Sequence, residues 1–183
     1  MRIRTLAGAI GVGTVVWALV VRGSLTLDLG VGRRFRRLGP ITITVAAPRE
    51  VVFDVVSGPY AERVPRALRE TVEVLERGED VLLAAHRTKA YGLTATTVET
   101  VRFERPERVH FRLVRGPVPH VVETFSLREV AGGTELQYSG ELGTDFWALG
   151  RFWGAAVART WEATVASSLE SARIEAERRA ARA

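Results

Sequence analysis

Between Val72 and Leu142 the sequence alternates apolar and polar residues in short runs, and turn signals separate the runs. Glycine and proline mark these turns, for example at Arg115-Gly116-Pro117 and Ala131-Gly132-Gly133. Alternation with a period of two is typical of strands that bury one face. The runs predict six strands, at about 72–77, 81–90, 93–103, 108–114, 120–129 and 134–142. No helical pattern separates them, so the sheet should be antiparallel.

An earlier β-branched run, Ile41–Ala46, predicts one more strand and brings the sheet to about seven strands. Two short helices are expected after it. The first covers 48–56 with Pro48 in its first turn, and the second covers 60–68 with Pro65 interrupting it.

A helical pattern runs from about Thr144 to the C terminus, and Thr144 and Asp145 are typical helix-start residues. On a helical wheel the charged side carries Arg151, Arg159, Glu162, Glu170 and Arg173. The opposite side carries Phe146, Leu149, Trp153, Ala156, Val157, Thr160 and Thr164. Beyond Val157 this side becomes small and polar, with Ser167, Ser168 and Ser171 after the two threonines. A helix that filled a core tightly would carry larger apolar residues there, so the pattern favours an interior partly filled by something else.

Strand parity predicts the partner of this helix. Five residues of the sheet share an inward-facing, mostly apolar face: Phe111, Leu113, Phe125, Leu127 and Tyr138. An antiparallel sheet with one apolar face needs a cover, and the long helix is the one amphipathic element large enough. The predicted fold class is therefore α+β, with a curved antiparallel sheet wrapped on a long C-terminal helix.

The N-terminal run Thr5–Val21 has 17 residues without charge and is bracketed by Arg2, Arg4 and Arg22. As a helix it would span about 25 Å, close to the thickness of a bilayer's hydrocarbon core. A cleaved signal peptide is the alternative, but no small-x-small cleavage site precedes Gly23. The sequence thus predicts an N-terminal transmembrane helix.

This interpretation divides the chain into a membrane anchor (1–22), a basic juxtamembrane linker (23–39) and a folded domain (40–183). The linker contains the basic run from Arg33 to Arg37, which favours contact with anionic lipid headgroups. By the positive-inside rule it also favours a single-pass topology with the soluble domain on the cytoplasmic side.

The net charge of +5 belongs to the N-terminal arm. Residues 1–38 hold seven arginines and one acid, so the remainder of the chain is close to neutral. A nucleic-acid-binding domain should carry its positive charge on the fold, and this class of function is excluded. The sequence has no cysteine, which excludes disulfides and thiolate chemistry.

The order of these elements resembles the START/Bet v 1-like (SRPBCC) superfamily, and within it the polyketide cyclase/dehydrase-type bacterial proteins. The resemblance covers about residues 40–175. It is most specific in the strand-Ala-Pro-x-x-Val-aromatic opening, Val45 to Phe53, and in the Gly-Gly-Thr hairpin at 132–134. It implies a helix-grip fold with a cavity between sheet and helix that accepts a lipid, polyketide, sterol or isoprenoid. Some members are enzymes, so the fold alone does not choose between binding and catalysis.

The residues expected to line that cavity are Phe111, Leu113, Phe125, Leu127, Tyr138, Trp153, Val157, Thr160 and Thr164. The sequence contains no phosphate-binding loop, no nucleophile elbow and no dinucleotide fingerprint, so no cofactor is expected. None of the three histidines has partners at metal-ligand spacing, and no metal site is expected.

Two side chains are candidates for acid–base chemistry. Glu123 shares parity with Phe125, and a carboxylate in an apolar cavity would have a raised pKa. The alternative is a solvated or arginine-paired carboxylate at the sheet edge. His120 follows a proline-rich turn and could point into the cavity mouth. His110 should lie on the surface, and His86 could face either way.

These observations support a membrane-anchored, non-enzymatic binding domain for a hydrophobic small molecule or lipid. The alternative is a polyketide aromatase/cyclase or dehydratase-type enzyme that uses Glu123 or a histidine in the same cavity. A third interpretation is a structural or regulatory membrane partner, which requires large side chains packed against Thr160 and Thr164. The ligand and the oligomeric state are not specified by the sequence.

Overall fold

Seven strands form one antiparallel sheet in the computed structural model, which describes residues 14–64, 69–90 and 92–182. The strands are β1 Arg34–Val45, β2 Val72–Arg77, β3 Val81–Ala90, β4 Leu93–Glu104, β5 Arg108–Arg115, β6 His120–Val130 and β7 Gly133–Thr144. Their order in the sheet is β1-β7-β6-β5-β4-β3-β2. Strands β2 to β7 form a meander, and β1 joins it beside β7. The six strands expected between residues 72 and 142 are confirmed.

Two α-helices described over their full length pack with the sheet: α1 at Arg49–Ser57 and α2 at Trp147–Ala180. Helix α1 agrees with the expected helix at 48–56, and a 3-10 turn, Gly58–Tyr60, follows it. The second short helix expected at 60–68 is wrong over residues 61–64, of which 61–63 form bends and 64 has no regular secondary structure. Ala61 is extended, with ψ 162°, and so ends the 3-10 turn. Residues 65–68 lie outside the described residues.

Strand β1 begins at Arg34, well before the strand predicted at Ile41. Residues 34–38 pair with β7, and Leu38 is fully buried. A break in register between Leu38 and Ile41, where Gly39 has a φ of +71°, interrupts the alternation and hides the continuity of the strand. The basic run at 33–37 therefore lies mostly on an edge strand, where charged side chains discourage pairing with other chains.

The buried face of α2 is a narrow seam that differs from the predicted one. Its buried residues are Gly150, Gly154, Val157, Ala158, Val165, Leu169 and Ala176. The predicted inward positions Leu149, Ser167, Ser168 and Ser171 are instead exposed. The hydroxyls of Ser168 and Ser171 donate to the backbone carbonyls four residues earlier, at 3.0 and 2.9 Å. The seam is narrow because glycines let the start of α2 approach the end of β7.

The segment 22–33, which we call the strap, crosses the end of the sheet where β1 begins and β7 ends. The carbonyl of Arg22 accepts a hydrogen bond from the Thr96 amide (3.1 Å), and the Thr26 hydroxyl donates to the Gly116 carbonyl (2.8 Å). At its other end the strap is held by Asp145, which lies between β7 and α2. The strap thus ties β4 and β5 to the start of α2.

Asp145 is almost fully buried and accepts four hydrogen bonds from the strap. The amides of Leu29 and Gly30 donate to Oδ2 at 2.7 and 2.8 Å. Arg33 Nε donates to Oδ1 at 2.7 Å, and its Nη2 donates to Oδ2 at 3.1 Å. The Arg33 guanidinium and the two amides hold the pKa of Asp145 at about 2. Arg33 also pairs with the exposed carboxylate of Asp28.

Residues 14–21 are helical and precede the strap, and Val21 is buried against the domain. No helix within the described ranges has the length and apolar character needed to cross a membrane. Residues 5–13 of the predicted anchor lie outside the described residues. The anchor and the domain division at residues 22 and 39 therefore stay predictions.

The hydrophobic core lies between the inner face of the sheet and the two helices. Its largest fully buried side chains include Tyr138, Leu38, Leu136, Leu142 and Leu169. Helix α2 packs on β1, β7 and α1. The interior beside the remaining strands also holds aromatic rings and two buried carboxylates, and this part contains the candidate site.

Candidate functional site

Glu123 lies on the inner face of β6, with 6% of its surface exposed. The hydroxyl of Tyr138 donates to Glu123 Oε2 at 2.7 Å, and the indole N–H of Trp161 donates to the same oxygen at 2.7 Å. Tyr138 belongs to β7 and Trp161 to α2. The carboxylate therefore bridges the sheet and the long helix. The residue opposite Glu123 on β7 is Gly140, which has no side chain.

A second polar cluster contains Tyr60, His86, Thr97 and Glu99. Tyr60 Oη lies 2.9 Å from His86 Nε2, and His86 Nδ1 lies 3.2 Å from Glu99 Oε2. The Thr97 hydroxyl donates to Glu99 Oε1 at 2.6 Å. Glu99 is 5% exposed. Adjacent strands build this cluster, because His86 of β3 pairs with Thr97 of β4.

An aromatic layer connects the two clusters. The rings of Phe111 and Phe125 are 5.5 Å apart, and Phe125 and Tyr138 are 5.3 Å apart. On the other side, Phe111 lies 6.0 Å from Tyr60 and 6.2 Å from His86, centroid to centroid. These spacings are typical of packed aromatic pairs. The interior thus has aromatic walls and a few convergent polar groups.

Burial shifts the pKa values of this interior. Burial, followed by the charge of Glu99, raises the pKa of Glu123 to about 7, against the opposing effect of its two hydrogen bonds. Burial lowers the pKa of His86, but the carboxylate of Glu99 outweighs it, and the net pKa is raised. Burial also raises the pKa of the Tyr60 and Tyr138 hydroxyls. Glu123 can therefore gain and lose a proton near neutral pH.

The arrangement contains acids without a neighbouring cation. Among the described residues no arginine or lysine side chain is buried, whereas Glu99 and Glu123 both are. The two carboxylates lie on either side of the aromatic layer and repel each other. Glu99 has His86 beside it as a group that can carry positive charge. Each carboxylate can accept hydrogen bonds from a bound molecule.

The strand residues predicted to line the cavity do share the inner face. Phe111, Leu113, Leu127 and Tyr138 are buried, and Phe125 is half-buried among them. The parity prediction for this face is confirmed. Their role in binding a ligand stays a prediction.

The predicted positions on α2 separate into different environments. Val157 is buried in the seam. The indole N–H of Trp153 donates to the Pro117 carbonyl at 2.8 Å, near the strap. Thr160 and Thr164 line an open groove of about 590 Å³ together with Lys89, Arg159, Ala163, Ser167 and Ser168. The structural role that required large side chains against the two threonines has no support here.

A second open groove, of about 690 Å³, lies between β2 and the segment after α1. Its walls include Pro59, Glu62, Val72 and Arg77. The first groove is lined by α2 and the end of β3, and this second groove is lined by β2 and the segment before it.

His120 lies on the outer face of the sheet, which corrects the expectation that it points into the cavity mouth. Its ring packs edge-on against Phe35 at 5.2 Å, and its Nε2 lies 3.3 Å from Glu141 Oε1. The physical reason is parity, because the alternate residues Val121 and Glu123 take the inner face. His110 also lies outside, 3.3 Å from Glu104, as expected.

Sequence reasoning missed Tyr60 and Glu99 and left the orientation of His86 open. Parity with the buried Val101 would have placed Glu99 inside. However, Val98 and Glu99 are both buried, so the alternation along β4 is lost at the point where its register with β5 shifts. In the described residues there is no group of three or more potential metal ligands.

Residues 41–177 match the sequence profile of the family described as polyketide cyclase / dehydrase and lipid transport. The chain belongs to this family. The match covers the whole meander, both described α-helices almost completely, and every residue of the two polar clusters. Among proteins with curated descriptions none matches the sequence.

Solved structures with the family's fold are similar to this chain. A protein of Thermus thermophilus has 17% identity and a TM-score of 0.61 and covers 78% of this chain and 97% of its own. The Zhui aromatase/cyclase from Streptomyces sp. R1128 has 18% identity and a TM-score of 0.53, with 76% and 93% covered. The di-domain aromatase/cyclase BexL from the BE-7585A biosynthetic pathway has 19% identity and a TM-score of 0.56. Here 81% of this chain aligns with 50% of BexL, so the chain spans about half of that protein. At these identities the likeness shows the fold.

Proposed function

We propose that the protein is a membrane-anchored binding domain that holds a hydrophobic small molecule or lipid between the sheet and α2. The observation that carries this proposal is the buried Glu123 carboxylate, held by Tyr138 and Trp161 within the aromatic interior. Apolar walls with a few converging polar groups are the usual composition of small-molecule sites. The helix-grip fold implies a ligand cavity in the same place, between the sheet and the long helix.

The energetic cost of the polar interior supports a functional role. Burying a carboxylate destabilises the folded chain unless its charge is compensated, and this fold buries Glu123 without a cation and Glu99 with only His86 beside it. A core that served stability alone would be more stable with apolar residues of similar volume at both positions. We infer that both acids are retained for contact with a bound molecule.

Membrane attachment rests on the sequence of the arm. The uncharged run at 5–21 ends at Arg22, and the arginines of β1 follow at 34, 36 and 37. With most of the positive charge after the run, the domain is placed on the cytoplasmic side. The strap then connects the anchor to the fold.

The test is to purify the full chain, extract it with organic solvent and analyse the extract by mass spectrometry. The full chain is required, because a chain that began at residue 39 would lose the first part of β1 and the Arg33–Asp145 contact. The proposal is supported if the extract contains close to one molecule of a lipid or polyketide per chain. The same molecule must be absent from a control extract of the detergent alone. An empty protein without affinity for a fatty acid, a prenyl alcohol, a sterol or an aromatic polyketide contradicts it.

A second candidate function, an aromatase/cyclase or dehydratase-type enzyme, is favoured by one observation. Glu123 has a pKa of about 7, which suits a group that accepts and returns a proton during cyclisation or loss of water. Glu123→Gln keeps the shape of the side chain and removes its acid–base chemistry. For an enzyme, turnover of a polyketide substrate falls by a factor of about 100 or more while binding persists. His120→Ala, on the outer face, is the matched control and leaves turnover unchanged.

A further inference from the structure

The start of α2 exposes an unusual amount of apolar surface. Phe146 is 36% exposed, Trp147 57%, Leu149 73% and Phe152 72%. Neighbouring parts of the chain add Leu27, Leu29 and Val31 of the strap and Phe35 of β1, all between 40% and 62% exposed. We call these eight residues the apolar face. Exposed apolar surface concentrated at one end of a folded domain indicates an interaction site.

The backbone holds two of these aromatic residues outward at an energetic cost. Phe146 has a φ of 69° and Trp147 a φ of 45°, in the left-handed region that residues with side chains rarely occupy. The Trp147 ring covers Gly32 so closely that a Cβ there would lie 2.4 Å from the ring. Local strain that presents apolar rings to the surroundings favours a functional purpose for the apolar face.

The arm of the chain indicates which partner covers this face. Residues 14–21 leave the domain at the same end and expose Val15, Val16, Trp17 and Leu19. Val21 is buried, and Arg22 is hydrogen-bonded to β4, so the exit point is fixed to the fold. The uncharged run then continues toward residue 5. A membrane that receives this run must pass close to the strap.

The charges around the apolar face suit an anionic surface. Arg22, Arg34, Arg36, Arg37 and Arg151 are exposed near this end of the sheet. The nearby acids are Asp28, which is paired with Arg33, and Glu141, which lies 3.3 Å from His120. The net charge of these groups is positive. Each basic residue close to an anionic membrane contributes about 1 kcal/mol of attraction.

We propose that the apolar face inserts into the interfacial layer of an anionic lipid bilayer, so that the strap end of the domain rests on the membrane. This inference rests on the proposed membrane attachment and adds an orientation to it. Aromatic side chains such as Trp147 and Phe152 are well suited to the boundary between headgroups and acyl chains. The opposite end of α2, which carries the charged C terminus, then points away from the bilayer.

The absence of cysteine from the sequence makes a site-specific test straightforward. Leu149→Cys and Phe152→Cys, each carrying a nitroxide spin label, report on the apolar face. Ile174→Cys is the matched control, because Ile174 is also exposed (56%) on α2 but lies near its other end. The full chain is reconstituted in vesicles of phosphatidylcholine with phosphatidylglycerol. Collisions of each label with oxygen and with a water-soluble nickel chelate are then measured.

The expected result is a several-fold lower collision rate with nickel, and a higher rate with oxygen, at positions 149 and 152 than at 174. Equal rates at the three positions in protein that floats with the vesicles overturn the proposal and leave the anchor intact. Protein that does not float with the vesicles contradicts membrane attachment itself. Dipolar broadening between labels at 152 in neighbouring copies assigns the face to a second copy of the chain and also overturns the proposal.

Discussion

Glu123 is the residue at which the stability of the fold and its proposed function conflict. Its carboxylate bridges Tyr138 of the sheet and Trp161 of α2, yet burial disfavours its charged form. The hydrogen bonds satisfy one oxygen of the carboxylate and do not neutralise it. A bound molecule that donates to the carboxylate would relieve part of this cost, so ligand binding should stabilise the fold.

The substitution Glu123→Gln should flatten the pH dependence of stability. The pKa of this acid is about 7 when folded, against an ordinary value of 4.5, so its proton is held more tightly in the folded chain. Its contribution to stability is largest at low pH and is lost as the pH rises from about 4.5 through 7. Removing it should reduce the loss between pH 5 and 8 by about 3 kcal/mol. Thermal or urea unfolding across this range measures the effect.

The control for this experiment is Glu76→Gln, at an exposed position on β2, which should leave the slope unchanged. His86 contributes a loss in the same direction, because its pKa is also raised in the folded chain. A slope for Glu123→Gln that equals the wild-type slope contradicts the raised pKa.

At the residue scale the sequence predicted which face of the sheet a side chain occupies better than which side chains it contacts. Parity placed Glu123, Phe125 and Tyr138 on the inner face, because alternation along a regular strand is a local property. The contact of Glu123 with Trp161 depends on the rotation of α2, which no local pattern sets. Glu99 was missed because Val98 and Glu99 are both buried and break the alternation along β4, and the orientation of His86 was left open.

Helix α2 is positioned by the close approach of its first turns to the end of β7. A Cβ on Gly150 would lie 1.6 Å from the Asp145 carbonyl oxygen, and one on Gly154 would lie 3.0 Å from Thr144 Cγ2. The two glycines therefore set the separation of helix and sheet on the side nearest the strap. The position of Trp161, two to three turns further along, depends on it.

The substitution Gly150→Ala should destabilise the fold by about 3 kcal/mol or more, because backbone atoms cannot move away as a flexible side chain can. Gly58→Ala is the control. Gly58 has helical dihedral angles and open space around a Cβ, so the change should be neutral or slightly stabilising. Chemical denaturation compares the two, and equal midpoints would contradict the close approach described here.

The strap depends on Asp145 in a similar way. Asp145→Asn keeps the size of the side chain, but it removes the charge that pairs with Arg33 and replaces one acceptor oxygen with a donor. The expected loss is about 2 kcal/mol of stability, with faster hydrogen exchange at the Leu29 and Gly30 amides. Since the pKa of Asp145 is held at about 2, the wild-type contact should persist until the pH falls toward that value.

Asp28→Asn is the matched control for this variant, because Asp28 contacts the same arginine from an exposed position. It should cost less than about 1 kcal/mol, as surface ion pairs usually do. Unchanged amide exchange in Asp145→Asn would show that other contacts hold the strap.

At the element scale, the strands were predictable and the edges of the fold were not. The six strands of the meander follow from local alternation and turn residues. The extension of β1 to Arg34 was hidden by the irregularity at Gly39 and by four arginines in a run that resembles a linker. The buried seam of α2 was misplaced because its glycines and alanines carry little hydrophobic signal, whereas Leu149 and Phe152 carry a strong signal and are exposed.

At the scale of the whole molecule, the fold has two distinct ends. The strap, the arginines and the apolar face lie at one end, and the hairpin at 131–133 and the C terminus of α2 lie at the other. The polar clusters lie inside, and the Glu123 cluster joins the sheet to α2 through Trp161.

Binding of a hydrophobic molecule in the interior beside Trp161 can be measured by ¹⁹F NMR of the full chain labelled with 5-fluorotryptophan. The four tryptophans give four signals, and Trp161→Phe assigns the one of interest. We expect the Trp161 signal to shift when a fatty acid, a prenyl alcohol, a sterol or an aromatic polyketide binds, and the Trp147 signal to respond to vesicles. A Trp161 signal that none of these molecules changes would contradict binding at this position.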